Sequence, residues 1–250
     1  MASENPQQST QSQSALLDVN GVTAGYGETT VLEDVSLAVQ SDSIISLIGR
    51  NGAGKTTTLK TIMGHISASE GTIRFNDEDI TNQPPEEIYH RGIGLVPEHR
   101  EVFPDLTVEE NLKIGGLNTD RGWFSLEEAY EYFPRLGERT TQKAGTLSGG
   151  EQQMLAIARS LMGETKLLLL DEPTEGLAPQ IVEDIIEILE RLAADGITVL
   201  FVEQNIEAVM TIAEYHYLIA DGTIVFNGST DALEAADEVR QRYLGITQGV

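Results

Sequence analysis

The feature that most restricts the fold of this chain is a glycine-rich loop between a strand-like and a helix-like segment. Residues 49–56 read GRNGAGKT and match the pattern G-x-x-x-x-G-K-[ST]. The apolar run Ser43–Ile48 predicts a buried strand before the loop, and Lys55–Ile66 predicts a helix after it. This order directs successive backbone N–H groups into one concavity, which suits phosphate. The chain is therefore predicted to contain an α/β phosphate-binding core.

Two side chains at the end of this loop are predicted to contact a nucleoside triphosphate. Lys55 would reach the β and γ phosphates, and Thr56 would place its hydroxyl on Mg²⁺. A chance match to the short pattern is the alternative. The flanking strand and helix argue against chance, because they supply the geometry that phosphate binding requires.

A second motif combines an apolar run with two acidic residues. The four leucines Leu167–Leu170 are followed by Asp171 and Glu172. This pattern is typical of a central parallel strand whose carboxyl end enters a site. Asp171 would hold Mg²⁺ directly or through water, and Glu172 would orient or deprotonate an attacking water. A buried strand followed by an ordinary polar turn is the alternative interpretation.

A third motif, LSGGEQQ at residues 147–153, places a serine and two glycines before an amphipathic run. The glycines allow close backbone approach, Ser148 offers a hydroxyl, and the helix directs its positive end toward them. A phosphate would fit there. The alternative is an ordinary helix N-cap at Ser148.

In this order, the GRNGAGKT, LSGGE and LLLLDEPT segments resemble the ATP-binding subunits of ABC transporters, and the resemblance runs from Leu16 to Leu244. It implies an α/β P-loop NTPase (RecA-like) fold with a parallel-sheet core, an N-terminal antiparallel β region and an inserted α-helical subdomain. A single nucleotide-binding domain is expected over residues 15–250, with its core in 15–97 and 164–250 and the helical subdomain in 98–163. Residues 1–14, rich in Gln and Ser, predict a disordered tail.

The resemblance also implies ATP and Mg²⁺ as ligands and assigns the site residues. Catalytic roles fall to Glu172, Lys55 and Gln204, and metal contacts to Thr56, Asp171 and Glu98. The expected ATP contacts are Tyr26, Gly49, Asn51, Gly52, Ala53, Gly54, Lys55, Thr56, Thr57, Ser148, Gly149 and Gly150. Tyr26 stands where an aromatic ring commonly stacks on adenine, and packing of this ring on the core is the alternative.

The resemblance further implies a head-to-tail dimer, either of identical or of different ATPase subunits. Lys55 of one subunit and residues 148–150 of the other would hold the same triphosphate. Residues 175–179 would cross between the subunits, or form a simple turn before the next helix. Further partners would be integral membrane permease subunits and, indirectly, an external solute-binding protein. The chain is therefore expected to lie peripherally at the cytoplasmic face of the cell membrane.

Two positions differ from the common pattern of the family. Glu98 stands in place of a glutamine, where its carboxylate can still coordinate Mg²⁺ but adds a third acid to the site. Gln204 stands in place of a histidine and can donate a hydrogen bond without carrying a charge. We therefore expect hydrolysis to be retained at a reduced rate.

The segments VPE, REVFP and TVEENL resemble the shorter ATPase subunits of branched-chain amino-acid importers. Urea and short-chain amide importers share much of this pattern. A soluble ABC-type ATPase without a transport role is a second hypothesis, and an exporter ATPase for lipid or drug is a third. No long coiled coil follows the phosphate loop, and only one nucleotide-binding unit is present, which disfavours DNA-repair and ribosomal types.

The composition excludes other classes of function. With 40 acidic and 16 basic residues the net charge is −24, so binding to nucleic acid is not expected. The same charge indicates a salt-loving organism, although an ordinary acidic protein is the alternative. Cysteine is absent, which excludes disulfides and thiolate chemistry. No apolar run approaches the ~20 residues of a membrane helix, so membrane association would require a partner.

Overall fold

The computed structural model describes residues 15–117, 124–204 and 206–244. The predicted tail at residues 1–14 lies outside these ranges. In chain order, the strands are β1 (Leu17–Tyr26), β2 (Thr29–Val39), β3 (Ile44–Ile48), β4 (Ala68–Phe75), β5 (Glu78–Asp79), β6 (Ile93–Val96), β7 (Leu167–Asp171), β8 (Thr198–Glu203), β9 (Tyr215–Ala220) and β10 (Thr223–Ser229). The helices are α1 (Lys55–Ile62), α2 (Pro85–His90), α3 (Val108–Gly115), α4 (Leu126–Tyr132), α5 (Pro134–Gly137), α6 (Gly149–Leu161), α7 (Pro179–Ala194), α8 (Ile206–Ile212), α9 (Thr230–Ala235) and α10 (Asp237–Val239).

The N-terminal strands form a sheet in the order β2-β1-β4-β5. Its antiparallel pairing agrees with the antiparallel β region that the family resemblance implies. Alternation along β2 buries Val35, Leu37 and Val39. The apolar alternation in the sequence predicts that Val31 is buried as well, but Leu32 is buried in its place and Val31 is half-buried. Asp34 explains the change of face, because its left-handed φ of 52° and the register shift beside it add one residue to the strand.

The second sheet has the order β10-β9-β3-β8-β7-β6 and carries the predicted parallel core. Strands β3, β6, β7, β8 and β9 run parallel, and β9 and β10 form an antiparallel hairpin, as the Asp-Gly pair at residues 221–222 predicts. The hairpin turns at Asp221 and Gly222, whose φ angles of 47° and 78° suit a two-residue loop.

Both faces of this sheet are buried, which explains its uninterrupted apolar runs. Leu168 and Leu170 of β7 pack into one core cluster, whereas Leu167 and Leu169 pack into another on the opposite face. A parallel strand covered on both sides needs an apolar residue at every position. The carboxyl ends of β3, β7 and β8 meet at one edge, and the predicted phosphate and acidic motifs follow those ends.

The described part of the chain between β6 and β7 contains helices α3 to α6 and a short 3-10 helix at Ala144–Thr146, joined by turns and irregular segments. Thr107 and Glu110 form a capping box at α3, and Ser125 and Glu128 form another at α4, as the pattern Ser/Thr-x-x-Glu in each segment predicts. Within the described ranges, no helix has both the length and the apolar character needed to cross a bilayer.

Two predicted helices are shorter than expected. Helix α1 ends at Ile62 rather than Ile66, because Gly64 with φ of 73° stops it in the manner of a C-terminal glycine. The sequence of residues 231–243 predicts a single final helix, which is wrong, since α9, α10 and a π-helical turn at Arg240–Leu244 take its place. In α9 and α10 only Leu233 is buried, so little packing is available to hold a continuous helix.

His216 lies fully buried in β9 within a chain of side-chain hydrogen bonds. Ser46 Oγ is 2.8 Å from Nδ1, and Thr230 Oγ1 is 3.0 Å from Nε2. Because the Thr230 hydroxyl donates to the Ala213 carbonyl, Nε2 must donate to Thr230 and Nδ1 must accept from Ser46. The imidazole is thus satisfied in its neutral form, and burial lowers its pKa to about 4.

We therefore expect His216 to make the free energy of unfolding pH-dependent. Between the unfolded pKa of about 6.5 and the folded pKa of about 4, the unfolded chain binds a proton that the folded chain does not. Stability from this group is fully present above pH ~6.5 and is lost as the pH falls toward ~4, by roughly 3 kcal/mol in all. The free energy of unfolding, measured with urea at fixed KCl, should change less with pH in His216→Gln than in the unmodified protein. Equal slopes would contradict the expectation.

Candidate functional site

The phosphate loop closes over a cavity of about 460 Å³ at the carboxyl end of β3. Gly52 and Gly54 have φ angles of 80° and 114°, which L side chains rarely adopt. A Cβ on Gly49 would lie 2.4 Å from the carbonyl oxygen of Ile219, so the backbone could not pass β9 with any larger residue. The cavity is lined by Val31, Asn51, Gly52, Gly54, Lys55, Thr56, Thr57, Glu98, Glu172 and Glu175.

Lys55 opens helix α1 with its side chain buried at 4% exposure. Its Nζ donates to the carbonyl oxygens of Gly49 at 3.0 Å and Arg50 at 3.4 Å. It also forms an ion pair with Glu172 Oε1 at 3.1 Å. The ammonium group therefore lies among oxygen acceptors beside the loop, where phosphate oxygens can replace them.

Thr56, which lines this cavity, contacts Asp171 at the end of β7. The Thr56 hydroxyl donates to Asp171 Oδ1 at 3.0 Å. Burial raises the pKa of Asp171 to about 6; the Thr56 hydrogen bond opposes this shift, and the charges of Glu172 and Glu98 add to it. These oxygen groups and the acidic excess around them suit a divalent cation.

Glu172 follows β7 in a left-handed conformation with φ of 47°. Its N–H donates to the carbonyl oxygen of Val202 at 3.0 Å, and Gln204 Nε2 donates to its Oε2 at 2.9 Å. Glu172 is thus held by Lys55 on one oxygen and by Gln204 on the other. The structure brings together the three residues that were predicted for catalysis.

The remaining predicted residues lie as follows. Glu98 lines the phosphate-loop cavity. Tyr26 is 53% exposed at the end of β1, so the alternative that its ring packs on the core is wrong. Within residues 175–179, a mostly exposed turn leads to Pro179, the first residue of α7. Partial desolvation of its carboxyl raises the pKa of Glu175, and the charge of Glu172 adds to the shift.

Residues 148–150 do not line this cavity and begin helix α6 instead. The Ser148 N–H and hydroxyl both donate to Glu151 Oε2 at 2.8 Å, which completes a capping box. The other oxygen of Glu151 pairs with Arg139 Nε at 2.9 Å. The N-cap interpretation of Ser148 is therefore correct for the chain as it stands, and the two phosphate motifs are separate in one subunit.

Sequence reasoning missed one buried acid beside the site. Glu203, the last residue of β8, is 1% exposed and accepts hydrogen bonds from Thr174 in the turn after Glu172. The sequence indicates this residue only by its position, because an acid there ends the apolar run 199–202 directly before Gln204.

The comparisons with known proteins agree with this geometry. The family described as ABC transporter matches residues 32–175 of the chain. A high-affinity branched-chain amino acid transport ATP-binding protein, BraG of Pseudomonas aeruginosa, is 47% identical over 92% of this chain and 100% of its own length.

The chain belongs to the ABC transporter family. A nucleotide-free ATP-binding cassette from an ABC transporter matches its fold with a TM-score of 0.82 and 30% identity, covering 94% of this chain and 100% of that one. A dimeric ATP-binding cassette bound to ADP and phosphate matches with a TM-score of 0.76 and 27% identity, covering 86% and 98%. Membership confirms the predicted P-loop NTPase fold and makes this ABC transporter subunit an ATP-binding ATPase.

Proposed function

We propose that this ABC transporter subunit hydrolyses ATP to drive the import of branched-chain amino acids. The proposal rests on one observation: beside the phosphate loop, Lys55 contacts one carboxylate oxygen of Glu172 and Gln204 contacts the other. BraG is a branched-chain amino acid transport ATP-binding protein, and its similarity to this chain over its whole length supports the choice of cargo.

The proposed roles follow from the contacts. Backbone N–H groups of the loop and Lys55 bind the β and γ phosphates of ATP, and Tyr26 offers an exposed ring to adenine. Once Lys55 is drawn to phosphate, Glu172 Oε1 loses its cation and can accept a proton from the attacking water. Gln204, already 2.9 Å from Glu172, is placed to donate a hydrogen bond toward the γ-phosphate.

Thr56, Asp171 and Glu98 would hold Mg²⁺. Across the described ranges, no three His, Cys, Asp or Glu side chains form a closed metal site. Mg²⁺ is usually bound by one or two carboxylates beside water and phosphate oxygens, and Asp171 and Glu98 together with the Thr56 hydroxyl fit that requirement. The ion would neutralise charge on the triphosphate during hydrolysis.

A head-to-tail dimer would complete the site. Residues 148–150 lie outside the phosphate-loop cavity of their own chain, so a second ATPase subunit would supply them to it. The dimeric cassette bound to ADP and phosphate supports this arrangement by its similarity. Closure on ATP and opening after hydrolysis would then act on permease subunits at the cytoplasmic face of the membrane.

Uptake measurements test the cargo. A strain without this gene should lose uptake of labelled leucine and valine but keep uptake of labelled urea. The intact gene should restore uptake, whereas a matched Lys55→Ala gene should not, which ties transport to nucleotide binding. Loss of urea uptake alone would favour the amide-importer alternative, and unchanged uptake of all three solutes would reject the importer.

The acidic surface fits a protein that folds in a salt-rich cytosol. Glu183, Glu187 and Glu190 lie exposed along α7 at spacings of four and three residues, where like charges repel. With a net charge of −24, similar repulsion acts over the whole surface. The Debye length falls from ~10 Å at 0.1 M salt to ~3 Å at 1 M, so salt should relieve this repulsion.

We therefore expect the midpoint of thermal unfolding to rise steadily as KCl is raised toward about 1 M. Circular dichroism during heating measures this directly, and a neutral osmolyte at matched osmolality controls for general solute effects. A midpoint that does not change between dilute buffer and molar KCl would favour the ordinary acidic protein.

A further inference from the structure

The buried carboxylate of Glu203 joins two segments of the site. Its Oε1 accepts from the Thr174 N–H at 3.0 Å and from the Thr174 hydroxyl at 2.6 Å. Its Oε2 accepts from the Gln204 N–H at 3.2 Å. At 1% exposure these donors replace water around the charge. Glu203 thus links the turn after β7 to the end of β8.

These bonds close a ring around Glu172. Thr174 lies two residues after Glu172, while Gln204 donates back to Glu172 Oε2 at 2.9 Å. The side chain of Gln204 is exposed, so packing alone does not fix it. One carboxylate binds both the Gln204 backbone and the Thr174 turn. It therefore fixes the backbone positions from which the side chains of Gln204 and Glu172 extend toward each other.

The backbone conformation of Glu172 also requires stabilisation by the residues around it. A residue other than glycine at φ of 47° is strained, and it persists only when its surroundings determine it. The Glu172 N–H is bound to Val202, and the Glu175 N–H is bound to the Glu172 carbonyl at 3.2 Å. The two bonds from Thr174 to Glu203 hold the centre of the same turn.

We propose that Glu203 is a positioning residue for ATP hydrolysis, which holds Glu172 and Gln204 at hydrogen-bond distance from each other. The inference rests on the roles proposed above for those two residues. Glu203 does not line the phosphate-loop cavity and acts only through its neighbours. An acid suits this position, because a carboxylate accepts from all three donors and presents no proton to them.

The substitution Glu203→Gln separates positioning from binding. Its amide oxygen can still accept from Thr174, but its NH₂ group would face the Gln204 N–H, donor against donor. We expect kcat to fall by about tenfold or more while KM for ATP stays within about twofold, because the phosphate-loop contacts are untouched. Glu190→Gln, an equal loss of charge on the exposed face of α7, is the matched control and should change neither constant.

A double-mutant cycle tests the route of the effect. If Glu203 acts through Gln204, then Glu203→Gln should add little to the loss already caused by Gln204→Ala. Unchanged kcat in Glu203→Gln, a KM that rises as much as kcat falls, or fully additive losses would each overturn the proposal. Should Glu203→Gln fail to fold by circular dichroism, Thr174→Val removes one of the three bonds at constant shape and is judged by the same kcat and KM criteria.

Measurements on Glu172→Gln separate this inference from the proposed function. If Glu172→Gln abolishes hydrolysis and Glu203→Gln does not slow it, only the positioning role fails. If Glu172→Gln hydrolyses ATP at the full rate, the role proposed for Glu172 fails, and that of Glu203 fails with it.

Discussion

Replacing Glu172 with glutamine is expected to lower ATP hydrolysis by roughly a hundredfold to ten-thousandfold, the contribution of a general base. Glutamine keeps the shape and an oxygen that can accept from Lys55, but it cannot take a proton from water at neutral pH. ATP binding should persist, because the contacts of the phosphate loop remain. The variant should therefore accumulate in the closed dimer.

Phosphate release and size-exclusion chromatography in ATP, Mg²⁺ and molar KCl measure both effects. Glu172→Gln should elute as a dimer with ATP but not with ADP, while Glu190→Gln should behave as the unmodified protein does. Full ATPase activity in Glu172→Gln would falsify the role given to the carboxylate. A monomer in saturating ATP would instead contradict the shared nucleotide.

Replacing Lys55 with alanine is expected to weaken ATP binding by about ten- to a hundredfold and to abolish measurable hydrolysis at ordinary ATP concentrations. A charge-assisted hydrogen bond to phosphate contributes about 1.5–3 kcal/mol. Lys55 also satisfies the Gly49 and Arg50 carbonyls and the buried Glu172 oxygen, so its loss leaves three acceptors without their donor. The empty loop should become less ordered as well.

Equilibrium binding of a fluorescent ATP analogue checks this, with Lys113→Ala as the matched control. Lys113 carries the same charge as Lys55 but has no proposed role in the site. It is an exposed lysine that forms an ion pair with Glu109 one turn away on α3. Unchanged affinity in Lys55→Ala would contradict the role of the lysine. Unfolding followed by circular dichroism distinguishes lost contacts from lost fold.

Features set by neighbouring residues could be predicted from the sequence. The phosphate loop is one, because Gly52 and Gly54 supply conformations that other residues resist. The capping boxes at Thr107 and Ser125 are others, since a hydroxyl and an acid three residues later satisfy each other locally. Strand β7 was also predictable, because its four leucines are buried on both faces.

Features set by distant residues could not be predicted. The buried Glu203 is hydrogen-bonded to Thr174, 29 residues earlier in the chain. The buried His216 is hydrogen-bonded to Ser46, 170 residues earlier. Both lie in apolar strands, where an isolated polar residue gives no indication of its partner. The exposure of the Tyr26 side chain could not be predicted either, because an aromatic residue at the end of a strand can pack on a core or contact a ligand.

The paired contacts of Glu151 have a consequence for how quickly two subunits could engage. One carboxylate oxygen secures Ser148 while the other is already bound to Arg139. In the proposed head-to-tail dimer, a phosphate that drew Ser148 away would leave Glu151 still paired with Arg139, so no unpaired anion would lie beside the incoming negative charge. Association through this helix end would then meet no added electrostatic barrier, and salt should change the rate at which the subunits meet more than the rate at which the helix end rearranges.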